Sequence, residues 1–525
     1  MISAPFFKEG TEGQRGGVTV IRVGILLSIA SAPGLGVPFG GAIWGWRLQA
    51  HRPGFTDAPK PVTLRAMFRT VELPLWLLVL VLGFAAVTFA SHFLFPSVRW
   101  FFRKRMERAV ARINQRLDRP IEFFKLARRQ DMIVRLAYDP AVLEAVAEHG
   151  AEMGVPGSVA FEEARGYARE IVPGFSASLY FGVAIRLARR LSRALYRVRI
   201  GKVDAALAHI DPKATVVFVM NHRSNMDYVL ITWLVANRAS ISYAVGEWAR
   251  IWPLSRLIRA MGAYFIRRGS RNTLYRRVLA RYVQMATAAG TTQAIFPEGG
   301  LSLDGRVGAA KMGLFSYIVH GFDPAGRDVV FVPVGLAYDR VLEDRILVDA
   351  AAAGTRRFRG KSLAIAAFVA RIIWRKLRGT FKDFGTAAAG FGPPVSLRAF
   401  IATHPGSPTE TLGALLMAEI ALVVPVLPVP LIAAALAQQP ANRTDLGVIV
   451  QDLIAQLTAL GAVLKLPPQG LEATITEGLA PLIARGIVLD TLQPALDGQP
   501  TLDFYAAPVL QRLAIPPGNA ATRQT

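Results

Sequence analysis

Between Thr215 and Leu336 the chain repeats one pattern: a short β-rich run, a polar loop, then residues with helical spacing. The runs are Thr215–Met220, Ile241–Val245, Ala263–Ile266, Gln293–Phe296 and Val329–Leu336. Helical stretches at about 226–237, 247–260 and 272–288 lie between them. Strands alternating with helices predict an α/β layer, a mixed but largely parallel sheet flanked by helices.

The flanks read differently. Residues 99–200 carry apolar residues at three- and four-residue spacing, as in Val142, Leu143 and Val146, then Val183, Leu187, Leu191 and Leu195. Pro120, Pro140, Pro156 and Pro173 mark helix starts or breaks. Beyond residue 400 Ala/Leu-rich helical sequence resumes. The apolar run Leu415 to Ala437 contains Glu419 and three prolines (Pro425, Pro428, Pro430), which favours two packed helices over a membrane span. A chain of 525 residues exceeds one ordinary core. The expected division is an N-terminal membrane anchor region at 1–98, a helical domain at 99–200, an α/β domain at 201–400 and a C-terminal helical region at 401–525.

Hydrophobic residues make up 52% and charged residues 19%, a balance that suits a protein living partly in lipid. From Val23 to Trp46 there is no charge, but Pro33, Gly34, Gly36, Pro38, Gly40 and Gly41 interrupt the run, so a broken membrane segment and an interfacial one both fit. Leu75 to Phe95 is uncharged and about long enough to cross a bilayer. Arg99, Arg103, Lys104, Arg105, Arg108 and Arg112 follow, which places the C-terminal side in the cytoplasm by the positive-inside rule. Residues 362–378 combine Arg371, Arg375, Lys376 and Arg378 with Phe368, Ile372 and Trp374, a basic amphipathic helix that suits anionic lipid or a solvated face. The formal charge of +24 attracts anionic partners such as phospholipid headgroups, nucleic acid or phosphate-rich cofactors. The chain has no cysteine, which excludes disulfides, thiolate metal sites and cysteine nucleophiles.

The first strand runs into Asn221-His222-Arg223-Ser224-Asn225-Met226-Asp227-Tyr228. With His222 on the strand-to-helix loop and Asp227 in the first helical turn, the carboxylate can hold one imidazole nitrogen and leave the other as a general base. Taken alone, the spacing also suits a structural histidine. Further strands end in Arg267-Arg268, whose guanidinium groups suit a phosphate, and in Phe296-Pro297-Glu298-Gly299-Gly300-Leu301-Ser302. There Glu298 can accept hydrogen bonds from hydroxyls, and backbone N–H groups near Gly299 and Gly300 can face an oxyanion. The run Val332-Pro333-Val334-Gly335-Leu336 brings a proline to the same end of the sheet.

These four blocks resemble the glycerolipid acyltransferase family, and within it the glycerol-3-phosphate and dihydroxyacetone-phosphate acyltransferases. His222-Arg223-Ser224 followed by Asp227-Tyr228 is the distinguishing detail. The likeness extends over roughly residues 135 to 515, including Phe391-Gly392-Pro393-Pro394-Val395. The resemblance implies direct acyl transfer, without an acyl-enzyme, from acyl-CoA or acyl carrier protein to glycerol 3-phosphate, as a step of phospholipid biosynthesis. His222 and Asp227 carry over as the catalytic pair. Arg223, Ser224, Arg267, Arg268, Glu298, Gly299, Gly300, Ser302 and Pro333 carry over as substrate contacts. No resident cofactor or metal is implied, and the expected location is the inner membrane with the catalytic domain on its cytoplasmic side, against membrane phospholipids. One departure stands out: Leu301 occupies the place where the group usually has arginine, and Leu303 one where a basic residue is common. Arg306, Lys311 or Arg223 must then supply the missing phosphate partner, or the acceptor is dihydroxyacetone phosphate or a lysophospholipid.

Other chemistries fit less well. Gly354 to Ser362 has five spacer residues and no preceding strand, so it is not a phosphate-binding loop. Gly300-Leu301-Ser302-Leu303-Asp304 lacks the second glycine of a nucleophile elbow, which makes Ser302 structural. The scattered histidines make no metal motif. No recognition element for nucleic acid is evident. A non-catalytic lipid-binding scaffold remains a rival, favoured by Leu301 and opposed by the intact His222 and Asp227.

Overall fold

The computed structural model describes residues 20–22, 72–200, 207–236, 238–246, 254–267, 269–354, 371–372, 374–381, 383–406 and 408–515. The broken apolar segment after Val23, the near phosphate loop at 355–362 and Arg268 lie outside them. Contacts divide the chain into Met1–Glu107 and Arg108–Thr525.

In the first unit Val20–Arg22 (β1) pairs antiparallel with Glu72–Pro74 (β2), and helix α1, Leu75–Asn114, begins at once. The apolar side chains of α1 described from Leu75 to Phe89 are largely exposed, among them Trp76, Val79, Leu82, Phe84 and Val87. Among the described residues no helix is long and apolar enough to cross a membrane, so the crossing expected from Leu75 to Phe95 is not shown.

The second unit starts with helices α2 (Arg129–Ala137), α3 (Pro140–Met153), α4 (Gly157–Ile171) and, after a π-helical turn at Tyr180–Ala184, α5 (Ile185–Leu195). Pro140 stands at the first turn of α3, where a missing N–H costs nothing, and Asp139 caps it by accepting from the Ala141 N–H. The sheet strands are β3 (Arg197–Ile200), β4 (Thr215–Met220), β5 (Ser242–Val245), β6 (Tyr264–Phe265), β7 (Gln293–Ile295), β8 (Val329–Tyr338), β9 (Thr386–Phe391) and β10 (Val395–Ser396). Between them lie α6 (Met226–Leu234), α7 (Leu254–Ala260), α8 (Thr273–Ala288), α9 (Gly313–His320) and α10 (Asp344–Ala352). The chain ends in α11 (Leu397–Thr403), α12 (Pro408–Val423), α13 (Pro428–Leu436), α14 (Arg443–Ala459), α15 (Leu471–Ala484) and α16 (Gln499–Leu513).

The sheet order is β3-β9-β8-β4-β7-β5-β6, with β10 beside β8. Strands β8, β4, β7, β5 and β6 run parallel, while β9 and β10 oppose β8. All five expected strands are present, and they are the parallel ones. Strands β3, β9 and β10 were not anticipated: the Ala/Gly run Thr386–Phe391 has weak strand propensity. Small residues are needed there because a Cβ on Gly390 or on its β8 partner Gly335 would strike the backbone of Val423 and Val424 at the end of α12.

Side chains of β4 alternate between two cores, as period-two geometry requires. Val216, Phe218 and Met220 join α6 and α13 to α16, while Val217 and Val219 join α2, α3, α4, α8, α9 and α12. The helical and C-terminal regions are therefore layers on the sheet that share its cores. Leu415 to Ala437 forms two helices as expected, the end of α12 and α13. Every residue of α13 is buried, which explains its uniformly apolar sequence.

Candidate active site

Residues 221–225 leave the C-terminal end of β4 and reach α6 through a loop pinned from three sides. Asn221 extends the sheet with its side chain: Nδ2 donates to the Leu336 carbonyl at 3.0 Å and Oδ1 accepts from the Leu336 N–H at 2.7 Å. The His222 N–H donates to Glu298 Oε1 at 3.2 Å, and its carbonyl accepts from the Ser302 N–H at 2.8 Å. Beyond it, Glu343 accepts from Ser224 Oγ at 2.7 Å and from the Asn225 backbone and side chain at 3.2 and 3.0 Å.

Within that loop His222 Nδ1 lies 2.9 Å from Asp227 Oδ2. The same oxygen accepts from the Arg223 and Ser224 N–H groups at 2.7 and 3.0 Å, and Oδ1 accepts from the Tyr338 hydroxyl at 2.7 Å. Asp227 sits in the first turn of α6, where the helix dipole favours a negative group. With every other partner of the carboxylate a donor, the imidazole contributes Nδ1–H and turns Nε2 outward as an acceptor. Among the described residues nothing bonds to Nε2. The ring stacks on Phe296, centroids 4.3 Å apart, and meets the edge of Tyr228 at 5.5 Å. Those contacts fix the ring plane and keep it away from bulk water.

The other expected residues occupy several environments. Glu298 is buried beside the histidine, and burial pushes its carboxyl up to about 7, offset in part by the His222 N–H and by Arg223. Gly299 turns at φ +67° and donates its N–H to the Phe296 carbonyl, so that group is taken by the turn, whereas the Gly300 N–H makes no backbone bond among the described residues. Lys311 runs its stem beside Gly299. Ser302 bonds to Asp304 and the Arg306 carbonyl, a structural placement in keeping with its sequence context. Arg223 is buried; it donates to the Gly305 carbonyl and covers the Phe504 ring at 4.6 Å, tying the loop to α16. Burial lowers its pKa. Pro333 lies inside β8 opposite Val219, and the strand continues past it to Tyr338.

Arg267 lies two residues past β6, which is three strand positions from β4, and forms a forked ion pair with Glu170 of α4 at 2.7 and 3.0 Å. Its guanidinium also lies over the Tyr167 and Tyr275 rings, and the Glu170 hydrogen bonds raise its pKa. Among the described residues no hydrogen bond joins it to the histidine loop. The three residues that hold the pair but escaped sequence reasoning are Asn221, Tyr338 and Glu343. Tyr338 carried a faint signal, since alternation through Val334 and Leu336 puts it on the same strand face. Among the described residues no group of His, Asp or Glu converges as a metal site would.

A polarised imidazole with one outward nitrogen, on a loop crossed by backbone N–H groups, can take a proton from a hydroxyl as that oxygen attacks a carbonyl. Known acyltransferases are similar to this chain in sequence. A family model described as Acyltransferase matches residues 203–337, the segment holding β4 to β8. A Glycerol-3-phosphate acyltransferase of Alteromonas mediterranea is 27% identical over 285 residues, covering 53% of this chain and 33% of that protein. Proteins of the same name from Xanthomonas campestris and Aeromonas hydrophila are 26% and 29% identical, covering 71% and 55% of this chain and 43% and 35% of theirs. The chain thus spans less than half the length of these relatives.

Proposed function

We propose that the chain is a member of the glycerolipid acyltransferase family and that it acylates the hydroxyl of glycerol 3-phosphate from an acyl thioester, acyl-CoA or acyl carrier protein. The observation that carries the reading is the 2.9 Å contact between His222 Nδ1 and Asp227 Oδ2, with Nε2 unbonded. Nε2 takes the acceptor's hydroxyl proton as its oxygen attacks the thioester carbonyl. The tetrahedral intermediate then collapses, the C–S bond breaks, and the departing thiolate takes the proton back from the imidazolium. Asp227 stabilises the transient cation. The N–H of Gly300 is the better placed of the two glycine donors to meet the oxyanion, because that of Gly299 closes a turn. Glu298 fixes the His222 backbone and borders the acceptor site.

The acceptor phosphate needs cations. Arg223 is committed to Gly305 and Phe504; Lys311, whose stem runs beside Gly299, and Arg306 are the candidates nearer the loop, and Arg267, held by Glu170, is a more distant one. Leu301, where the group has arginine, favours a second reading in which dihydroxyacetone phosphate or a lysophospholipid is the acceptor. The exposed apolar stretch of α1 from Trp76 to Phe89, followed by Arg103 to Arg112, supports attachment to the cytoplasmic face of the inner membrane, where a lipid product enters the bilayer directly. A panel of labelled glycerol 3-phosphate, dihydroxyacetone phosphate and lysophosphatidate, each offered with palmitoyl-CoA and with palmitoyl carrier protein, tests the assignment. Product from glycerol 3-phosphate above the others supports it; product from another acceptor alone replaces it with the second reading.

A further inference from the structure

We infer that α5 and the helical residues 374–377 together form a docking face for an anionic phospholipid surface, on the catalytic unit itself. The inference stands independently of acyl transfer.

Helix α5 buries Ile185, Ala188, Ser192 and Leu195 against the protein. Its outward side carries two stripes. Val183, in the π-helical turn that leads into α5, and Leu187 and Leu191 within it expose 52%, 54% and 39% of their surface. Arg186, Arg189, Arg190 and Arg193 run alongside, all exposed. A solvated helix would carry polar residues where this one carries valine and leucine. Arg186, Arg189 and Arg190 have no carboxylate partner among the described residues. The sequence holds no acidic residue between Glu170 and Asp204.

A second element of the same composition meets the end of α5. Lys376 Nζ reaches the Ala194 carbonyl at 3.5 Å, and the Phe384 N–H donates to the Leu195 carbonyl at 2.8 Å. There Trp374 and Leu377 are 55% and 79% exposed, with Arg371, Arg375 and Arg378 beside them. Arg378 stacks on Trp374 at 4.2 Å. Between Asp349 and Asp383 the sequence again has no acidic residue.

Two apolar stripes bordered by arginines, with a tryptophan at the margin, match an interfacial surface: the apolar groups enter the headgroup boundary while the guanidinium groups meet phosphates. An acidic protein would engage the arginines but leave five large apolar side chains without a matching partner. Helix α5 packs directly on α6, whose first turn carries Asp227, and Arg193 lies over Trp233 of α6 at 5.4 Å. Docking through this face would set the reaction loop one helix away from the lipid.

The chain lacks cysteine, so one introduced thiol labels one site. Full-length Leu187→Cys carrying an environment-sensitive fluorophore is mixed with vesicles of phosphatidylglycerol or of phosphatidylcholine. Met153→Cys, exposed on the opposite helix layer, is the control. The expected result is a blue shift and a several-fold rise in emission for Leu187→Cys on phosphatidylglycerol, absent for Met153→Cys and lost when Arg186, Arg189 and Arg190 are changed to Glu. Vesicle flotation with an unchanged Leu187 signal would overturn the docking face while leaving attachment through α1 intact. A response to purified acyl carrier protein but not to vesicles would overturn it in favour of an acidic protein partner.

Discussion

The Tyr338 hydroxyl donates to Asp227 Oδ1 at 2.7 Å, joining the end of β8 to the carboxylate that orients His222. Both groups are buried, and together with the two loop N–H groups they fill the coordination of that carboxylate. Tyr338→Phe removes the donor and leaves Oδ1 short of a partner, at a cost of about 1–3 kcal/mol. The expected outcome is a kcat lower by roughly tenfold at an unchanged KM for the acceptor, read in steady-state assays, with a lower urea midpoint.

Asp227→Asn keeps the shape but replaces an acceptor with an amide, and the imidazole loses the partner that fixes its Nδ1–H tautomer. A fall in kcat on the order of 10³- to 10⁴-fold is expected, as for histidine–carboxylate pairs generally. Nitrogen NMR of labelled histidine should show the tautomer change directly.

Glu298 gives a pH signature. Burial raises its carboxyl from an ordinary 4.5 to about 7, so between those values the folded state binds more protons than the unfolded chain. Stability must then fall as pH rises through that window, by at most roughly 3.5 kcal/mol at about 1.4 kcal/mol per unit. Asp339, pushed up to about 6 by burial, adds a slope of the same sign from 3.8 to 6. Glu298→Gln should flatten the decline above pH 6 and reduce it between 4.5 and 6, leaving the Asp339 share, as measured by denaturant melts at successive pH values.

Gly335→Ala tests the packing that admits β9. A methyl there meets the backbone of Val423 and Val424, which cannot move without shifting α12. A loss of about 1–3 kcal/mol or more is expected in chemical denaturation.

The parallel strands were legible because each is a compact apolar run between polar loops, and the His222–Asp227 pair because its members are five residues apart on a strand-to-helix loop. Strand β9 was not, since its Ala and Gly residues answer to the approach of α12 rather than to strand propensity. Nor were Tyr338 and Glu343, which meet the loop from more than a hundred residues away. Arg223 and Arg267 look alike in sequence as phosphate ligands. Folding gives one a carbonyl and a ring, the other a carboxylate. Only the tertiary contacts tell them apart.

The proposed mechanism stands on His222 as the base for acyl transfer. The direct measurement is product formation from palmitoyl-CoA and labelled glycerol 3-phosphate in membranes holding equal amounts of the native chain or His222→Ala. With His222 as the base, the native protein forms product and the variant loses at least about 10²-fold. Equal rates from the two proteins would contradict it.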